Sequence, residues 1–202
     1  MQKTLLLILT MIVSALASQA QVEKNDWLLG GSFNFNTANS SYPSSSTGSS
    51  NSNLSPEMGF AVGKNSVVGI RGGISIGSTK DGSGSKQTTS SYQASAFWKK
   101  LFPISEKVGW YSDVAAGYNY IRYKNDNTQM VVTSSSRGFS ASATPGVYYK
   151  AGKKTLLNAS IGGLSYYHAK NTDGYTSSSF NLSLLNYFSF GISFILNKEH
   201  QM

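Results

Sequence analysis

Few residues in this chain are able to carry chemistry. There are two histidines, His168 and His200, and no cysteine among the 202 residues. A serine and an acid beside His168 would supply a nucleophile, a base and a group to orient that base, which is the minimum for acyl-transfer hydrolysis. Ser165 and Asp173 are such neighbours, but serine is so abundant here that a nearby one arises from composition alone. Without cysteine there is no thiolate metal site, no disulfide framework and no lipid anchor on a cysteine. The chain also lacks a glycine-rich phosphate loop, a metal-ligand spacing and a paired-carboxylate motif. The expectation is therefore no enzyme, no cofactor and no metal. The other charged residues of note are Glu57, Arg71 and Asp113. They stand in otherwise uncharged stretches, so the chemistry they suggest is ion pairing.

The elements that hold these residues have a period of two. From Phe180 to Leu196 the even positions are apolar but for Asn186, and the odd positions are mostly small or polar, as in a half-buried strand. That run exceeds the usual strand of about five or six residues, and also the 9–11 or so that a tilted strand needs to cross a bilayer. Alternating segments recur near 27–36, 53–62, 66–77, 88–99, 108–123, 137–149 and 155–167, which makes eight with the last. Residues 1–20 read as a cleaved signal: Lys3, an apolar run from Leu5 to Leu16, then Ser18-Gln19-Ala20. The apolar run is too short for a spanning helix of roughly 20 residues. Residues 21–202 form one domain. Since no later segment is apolar enough for a membrane helix, the spanning solution left is a closed barrel, because lipid offers backbone groups no partner. The expected fold is all-β: an eight-stranded antiparallel transmembrane barrel wound as an up-and-down meander.

Strict alternation fixes the surroundings of each residue once one parity is assigned. The apolar parity faces lipid and collects aromatics at the segment ends, as interfacial girdles do. Trp27, Phe60, Trp98, Trp110, Tyr149 and Phe194 fall at one rim, and Phe35, Tyr92, Tyr118 and Tyr120 toward the other. In 155–167 the pattern slips, since Leu164 and Tyr166 sit on the opposite parity from Leu157, Ala159 and Ile161; a bulge would explain that. Pro56 and Pro145 remove ladder donors and read as bulges or strand ends near a rim. Glu57, Arg71 and Asp113, with Lys99 as a further candidate, lie on the inward parity. Eight strands leave a lumen about wide enough for side chains to fill, so these charges read as a barrel-interior polar network rather than the lining of a wide pore.

Connections alternate in length. Residues 37–52, 78–87, 124–136 and 169–179 are long and polar, and read as loops that face outside and offer a surface for an extracellular ligand. The turns at 63–65, 100–107 and 150–154 are short and read as periplasmic, on the same side as both termini. Met130-Val131-Val132 is an apolar exception that extends a strand above the membrane if it is ordered. Seventeen basic residues face nine acidic ones, a net charge of +8. Many lie near the short turns (Lys64, Lys99, Lys100, Lys107, Lys150 and others), where they would meet lipid phosphates; solvated turns are lysine-rich as well. No concentrated basic patch suggests nucleic acid.

Several pieces resemble the small outer-membrane β-barrel proteins common in Bacteroidota, relatives in architecture of other eight-stranded, porin-like barrels. They are Ser55-Pro56-Glu57-Met58-Gly59-Phe60-Ala61-Val62, Val68-Gly69-Ile70, Pro145-Gly146-Val147-Tyr148-Tyr149, Ile161-Gly162-Gly163-Leu164 and Ser189-Phe190-Gly191-Ile192-Ser193-Phe194. The resemblance implies an outer-membrane address, lipid as surroundings and no shared catalytic activity. Ser189, Gly191, Phe194 and Leu196 also resemble the signal read by the barrel-assembly machinery, although many such barrels stop at a terminal aromatic and this chain continues to Met202. Three functions remain open: a non-enzymatic barrel for envelope maintenance or loop-mediated adhesion, a channel for small solutes or hydrophobic compounds, and a rim lipid hydrolase. A soluble lipocalin-like barrel is the structural alternative. Oligomeric state is not encoded in any of these features. Deleting Asn197 to Met202 should leave membrane insertion intact, whereas Gly191→Asp or Phe194→Asp should impair it, as read by the yield of heat-modifiable protein in the outer-membrane fraction.

Overall fold

The computed structural model describes residues 22–42, 45–80, 85–127, 130–172 and 174–196. The signal at 1–20 and the tail at 197–202 lie outside them. Eight strands follow in order: β1 (Trp27–Tyr42), β2 (Ser45–Gly63), β3 (Ser66–Lys80), β4 (Lys86–Pro103), β5 (Val108–Asn127), β6 (Met130–Lys150), β7 (Thr155–Asn171) and β8 (Thr176–Leu196). Each pairs antiparallel with the next, and β1 also pairs with β8, so the sheet closes as a barrel. The closing ladder runs from Trp27↔Leu196 to Phe33↔Phe190. Over these seven pairs closure leaves no edge for another chain to extend.

The parity read from the sequence holds. Leu29, Phe33, Ile70, Phe139 and Phe190 point outward and are exposed, Ile70 at 62% and Phe190 at 67%. Inward neighbours such as Leu28, Val67, Ser95 and Ser193 are buried. An apolar surface of this extent is unstable in water, and its belt shape matches a hydrocarbon layer.

The strands outrun their alternating cores at one end. Residues 37–52, expected as a loop, are largely a hairpin paired from Thr37↔Ser50 to Tyr42↔Ser45. The stretch 124–136 likewise pairs from Lys124↔Thr133 to Asn127↔Met130, which brings Met130-Val131-Val132 into β6. The ladders of 78–87 and 169–179 continue similarly. Backbone pairing does not need an apolar face, and where water wets both faces the hydropathy period disappears while the hydrogen-bond ladder persists.

Of three register shifts, one lies at the β2–β3 turn between Ala61 and Gly63 and two shape the wall. In β7 the register against β8 shifts between Ile161 and Gly162. Gly162 has φ 79° there, a conformation that costs a residue with a Cβ and suits glycine. The shift moves the outward parity of β7 from odd to even, which puts Leu164 and Tyr166 on the lipid side. Pro145 falls within a second shift, between Ala143 and Gly146 against β7. Pro56 differs from expectation: it sits in mid-strand opposite Gly31, away from a rim and without a shift. The β2–β3 ladder breaks off between Leu54↔Ile74 and Glu57↔Arg71 and resumes in the same register. The missing donor therefore costs a local gap instead of a bulge.

If the exposed belt faces lipid, Ile70→Arg should lower folding stability in lipid vesicles by about 2–4 kcal/mol. Gln93→Arg, on the inner face, should cost far less. Urea midpoints of the two variants compare them directly, and equal losses would contradict the assignment of faces.

Candidate functional site in the barrel interior

Four neighbouring strands each send one charged side chain inward. Glu57 on β2 stands directly across from Arg71 on β3, and Lys99 on β4 directly across from Asp113 on β5. The Arg71 guanidinium joins the two pairs. Its Nη2 donates to Glu57 Oε2 at 2.7 Å and to Asp113 Oδ2 at 2.6 Å, while Nη1 donates to Asp113 Oδ1 at 3.1 Å. A planar fork matched to a carboxylate in this way is the stronger form of ion pair. Lys99 Nζ reaches Glu57 Oε1 at 2.5 Å and Asp113 Oδ2 at 3.8 Å. Each carboxylate thus meets both cations, and the four formal charges cancel.

The structure therefore brings Glu57, Arg71 and Asp113 together and makes Lys99 a full member. Lys99 is only 6% exposed, which removes it from the basic collar near the short turns. Phe97 and Tyr111 support the cations: Arg71 lies 4.8 Å and Lys99 5.3 Å from the Phe97 ring centre, and Lys99 5.7 Å from that of Tyr111. Such contacts strengthen when water is excluded. Gly69 gives the Phe97 ring its room, since a Cβ there would meet Phe97 Cε1 at 2.8 Å.

On the short-turn side the lumen is closed by an apolar floor that includes Leu28, Val67, Leu101, Leu156 and Ile195. The segment before β1 folds into that mouth. Val22 is fully buried; its N–H donates to Asn65 Oδ1 at 3.1 Å and its carbonyl accepts from Asn65 N at 2.9 Å. Asn65 holds the tight β2–β3 turn with φ 56°, a left-handed conformation that asparagine tolerates. Asn25 N donates to Ala61 O at 2.9 Å and Ala61 N to Asp26 O at 2.8 Å, which ties the segment to β2. The sequence carried one sign of the floor, namely apolar residues such as Leu101 and Ile195 on an otherwise polar parity. For the sealing role of Val22 to Asp26 it carried no sign, since five residues are too few for a period.

On the opposite side of the charged cluster is a chamber of about 410 Å³, lined by polar side chains including Asn34, Asn53, Gln93, Ser142 and Asn158. Ser189 and Gly191 of the expected assembly signal line it from β8, while Phe194 and Leu196 point outward. The girdle residues lie together at the short-turn rim. Trp27 and Phe60 meet edge to face with centroids 5.2 Å apart, Trp110 stacks on Phe102 at 3.9 Å, and Trp98 Nε1 donates to Ser66 Oγ at 2.9 Å. Tyr149 and Phe194 are exposed on the same rim.

At the other rim the proposed hydrolytic set is not assembled as the sequence suggested. His168 Nδ1 is 2.8 Å from Ser178 Oγ, on the outer face. Ser165 is paired with Ser142, which faces the chamber, so its side chain lies on the other side of the wall. Asp173 lies outside the described residues. Among the described residues no group of three or more His, Asp or Glu is placed to hold a metal ion.

Removing Arg71 would leave two carboxylates to one lysine. Breaking a buried pair costs about 3–5 kcal/mol, whereas replacing all of its members with neutral groups is often harmless. Arg71→Ala should therefore lower the midpoint of heat-modified gel mobility strongly. Combining it with Glu57→Gln, Lys99→Met and Asp113→Asn should recover much of the loss. Additive losses would show that the four charges do not act as a unit.

A family model described as outer membrane protein beta-barrel domain matches residues 4–188. Among curated proteins, none matches the chain in sequence. Among solved structures, one similar chain is the crystal structure of Ail, the attachment invasion locus protein of Yersinia pestis. It is 14% identical with a TM-score of 0.43, and the match covers 87% of this chain and 100% of that one. The family model spans nearly the whole chain, and with the closed barrel and its apolar belt it places the protein: the chain belongs to the outer membrane protein β-barrel domain family.

Proposed function

We propose that this protein is a non-enzymatic structural barrel of the outer membrane that does not conduct ions and presents its extended hairpins to the exterior. The observation that carries this reading is the sealed lumen: an apolar floor, the Val22–Asp26 segment across it, and a neutralised cluster of four charges directly above. An ion crossing this interior would have to displace buried side chains that already satisfy one another. The termini and short turns face the periplasm in this reading, and the hairpins face out, in keeping with the asymmetry of outer-membrane barrels. The kinship with small barrels of Bacteroidota belongs to the same reading and rests on the motifs around Pro56 and Pro145.

The hairpin ends support a contact role. Val131 and Val132 at the tip of the β5–β6 hairpin and Tyr175 before β8 are exposed, although no membrane belt accounts for them. They suit envelope maintenance or adhesion through another surface.

A second reading, passage of hydrophobic compounds, is favoured by one feature. The β1–β8 ladder ends at Phe33↔Phe190 while β1 runs on to Tyr42 and β8 begins at Thr176. Asn34 and Ser189, just past the last pair, line the chamber.

Planar bilayers loaded with purified protein should show no stepwise current for the wild type. Steps should appear when Arg71→Ala is combined with removal of Val22 to Asp26. Stable wild-type conductance would overturn the structural reading. Silence to ions together with faster uptake of an apolar probe by cells carrying the protein would favour the second reading over the first.

A further inference from the structure

At the hairpin-side rim the outer face is charged on one side of the barrel. Arg122, Arg137 and Lys170 on β5, β6 and β7 are exposed and share the outward parity of Tyr118, Phe139 and Tyr166. Their height follows from the strands. From Trp110 to Tyr120, from Tyr149 to Phe139 and from Leu157 to Tyr166, the outward stripe runs for about the 9–11 residues that cross a bilayer. Arg122 and Arg137 each come one outward position beyond their stripe, and Lys170 comes two. They stand where hydrocarbon gives way to headgroups.

The arrangement costs stability as it stands. Arg137 and Lys170 are direct cross-strand partners, and like charges placed opposite each other repel. Among the described residues no carboxylate forms an ion pair with Arg122, Arg137 or Lys170; the one exposed pair nearby joins Lys124 to Asp126 at 3.0 Å. Arg137 is held over the Tyr120 ring, with its guanidinium carbon 5.9 Å from the centroid, which fixes a cation against the girdle. At the same rim β1, β2 and β8 offer Thr37, Ser50 and Ser178 on the outward parity, whereas Lys80 on β3 and Lys86 on β4 form a further exposed cross-strand pair of cations, so the charge runs from β3 to β7 and spares the rest of the rim.

We propose that Arg122, Arg137 and Lys170 form a binding site for the phosphorylated headgroup of an anionic membrane lipid whose acyl chains lie along the aromatic and aliphatic face of β5 to β7. Charge complementarity selects the occupant. Arginine forks match phosphate oxygens, an anion between Arg137 and Lys170 turns their repulsion into shared attraction, and the apolar stripe directly below accepts the chains. A soluble phosphate would use the first two of these features and leave the stripe unused.

The test is native mass spectrometry of the detergent-purified barrel titrated with a phosphorylated glycolipid, with phosphatidylcholine and with inorganic phosphate. The wild type should retain the phosphorylated glycolipid in preference to phosphatidylcholine and show no comparable retention of inorganic phosphate. Each of Arg122→Gln, Arg137→Gln and Lys170→Gln should weaken glycolipid binding about fivefold, with heat-modified mobility unchanged. Lys64→Gln with Lys100→Gln, at the other rim, should leave binding as it was. Equal retention of both lipids, equal binding by the triple variant, or binding of inorganic phosphate alone would overturn the proposal. The readout does not depend on which end faces the exterior or on whether the lumen conducts, so it stands or falls apart from the functional reading above.

Discussion

Within lipid, a strand has no neighbour but another strand. Each backbone N–H and C=O at membrane depth must be paired inside the protein, and here the pairs that close the sheet are those between β1 and β8, from Trp27↔Leu196 to Phe33↔Phe190. Until that seam forms, two edges are open and the apolar parity of every strand has no defined outside. The seam lies toward the short-turn end, where Trp27 begins the first strand and Leu196 ends the last. The girdle aromatics Trp27 and Phe194 and the buried Leu28 and Ile195 are therefore positioned by one seam, the meeting of the first and last strands.

Closure then decides the electrostatics. A lumen enclosed by eight strands has little room for water, so a charge on the inner parity must find a partner of opposite sign. The sequence places one acid or base on each of four consecutive strands, and the register aligns them as two direct cross-strand pairs that Arg71 links. Every backbone hydrogen bond of β2 to β5 helps to fix the side-chain geometry. The reverse holds as well: a one-residue slip of any one of these strands would turn its charge toward lipid and leave its partners inside uncompensated, so the cluster penalises the wrong register. Phe97 and Tyr111 fill the space around the cations with ring faces, which give attraction without adding charge.

Much of this is legible in the sequence. The parity of Phe180 to Leu196 is also that of the lipid face, and the isolated charges Glu57, Arg71 and Asp113 on the minor parity are the interior cluster. The slip at Leu164 and Tyr166 is the β7 register shift at Gly162. What stayed hidden had physical reasons. Residues 37–52 and most of 124–136 carry no apolar period, so apart from Met130-Val131-Val132 nothing in their side chains records the ladder. Lys99 reads both as an inward neighbour of Trp98 and as a turn-proximal lysine, and its register against Asp113 decides for the cluster. Val22 to Asp26 seals the mouth through backbone bonds to Ala61 and Asn65, and such bonds leave little trace in residue type. Pro56 misled because the usual rule concerns a strand forming ladders on both sides, and it does not anticipate a gap that two glycines, Gly72 and Gly73, line on the neighbouring strand.

The two ends of the barrel follow different physical rules, and that difference explains where function can reside. At the short-turn end nearly every position is committed: apolar side chains fill the lumen, aromatics ring the outside, and the turns bond to one another, as in Lys150 N to Lys107 O and Ile195 N to Lys154 O. A new residue there must fit existing packing. At the hairpin end the strands are held mainly by backbone ladders, with a few side-chain bonds such as His168 to Ser178 and Thr172 to Ser135, so at most positions serine, threonine and asparagine replace one another at little cost while the scaffold stays the same. Substitutions at that end can then change side chains on both faces of a hairpin without disturbing the seam, the floor or the charged cluster. A barrel built this way keeps its stability at one end and its freedom to evolve contacts at the other, which is why its inner cluster reads as architecture and its extended hairpins and charged flank as the places to look for partners.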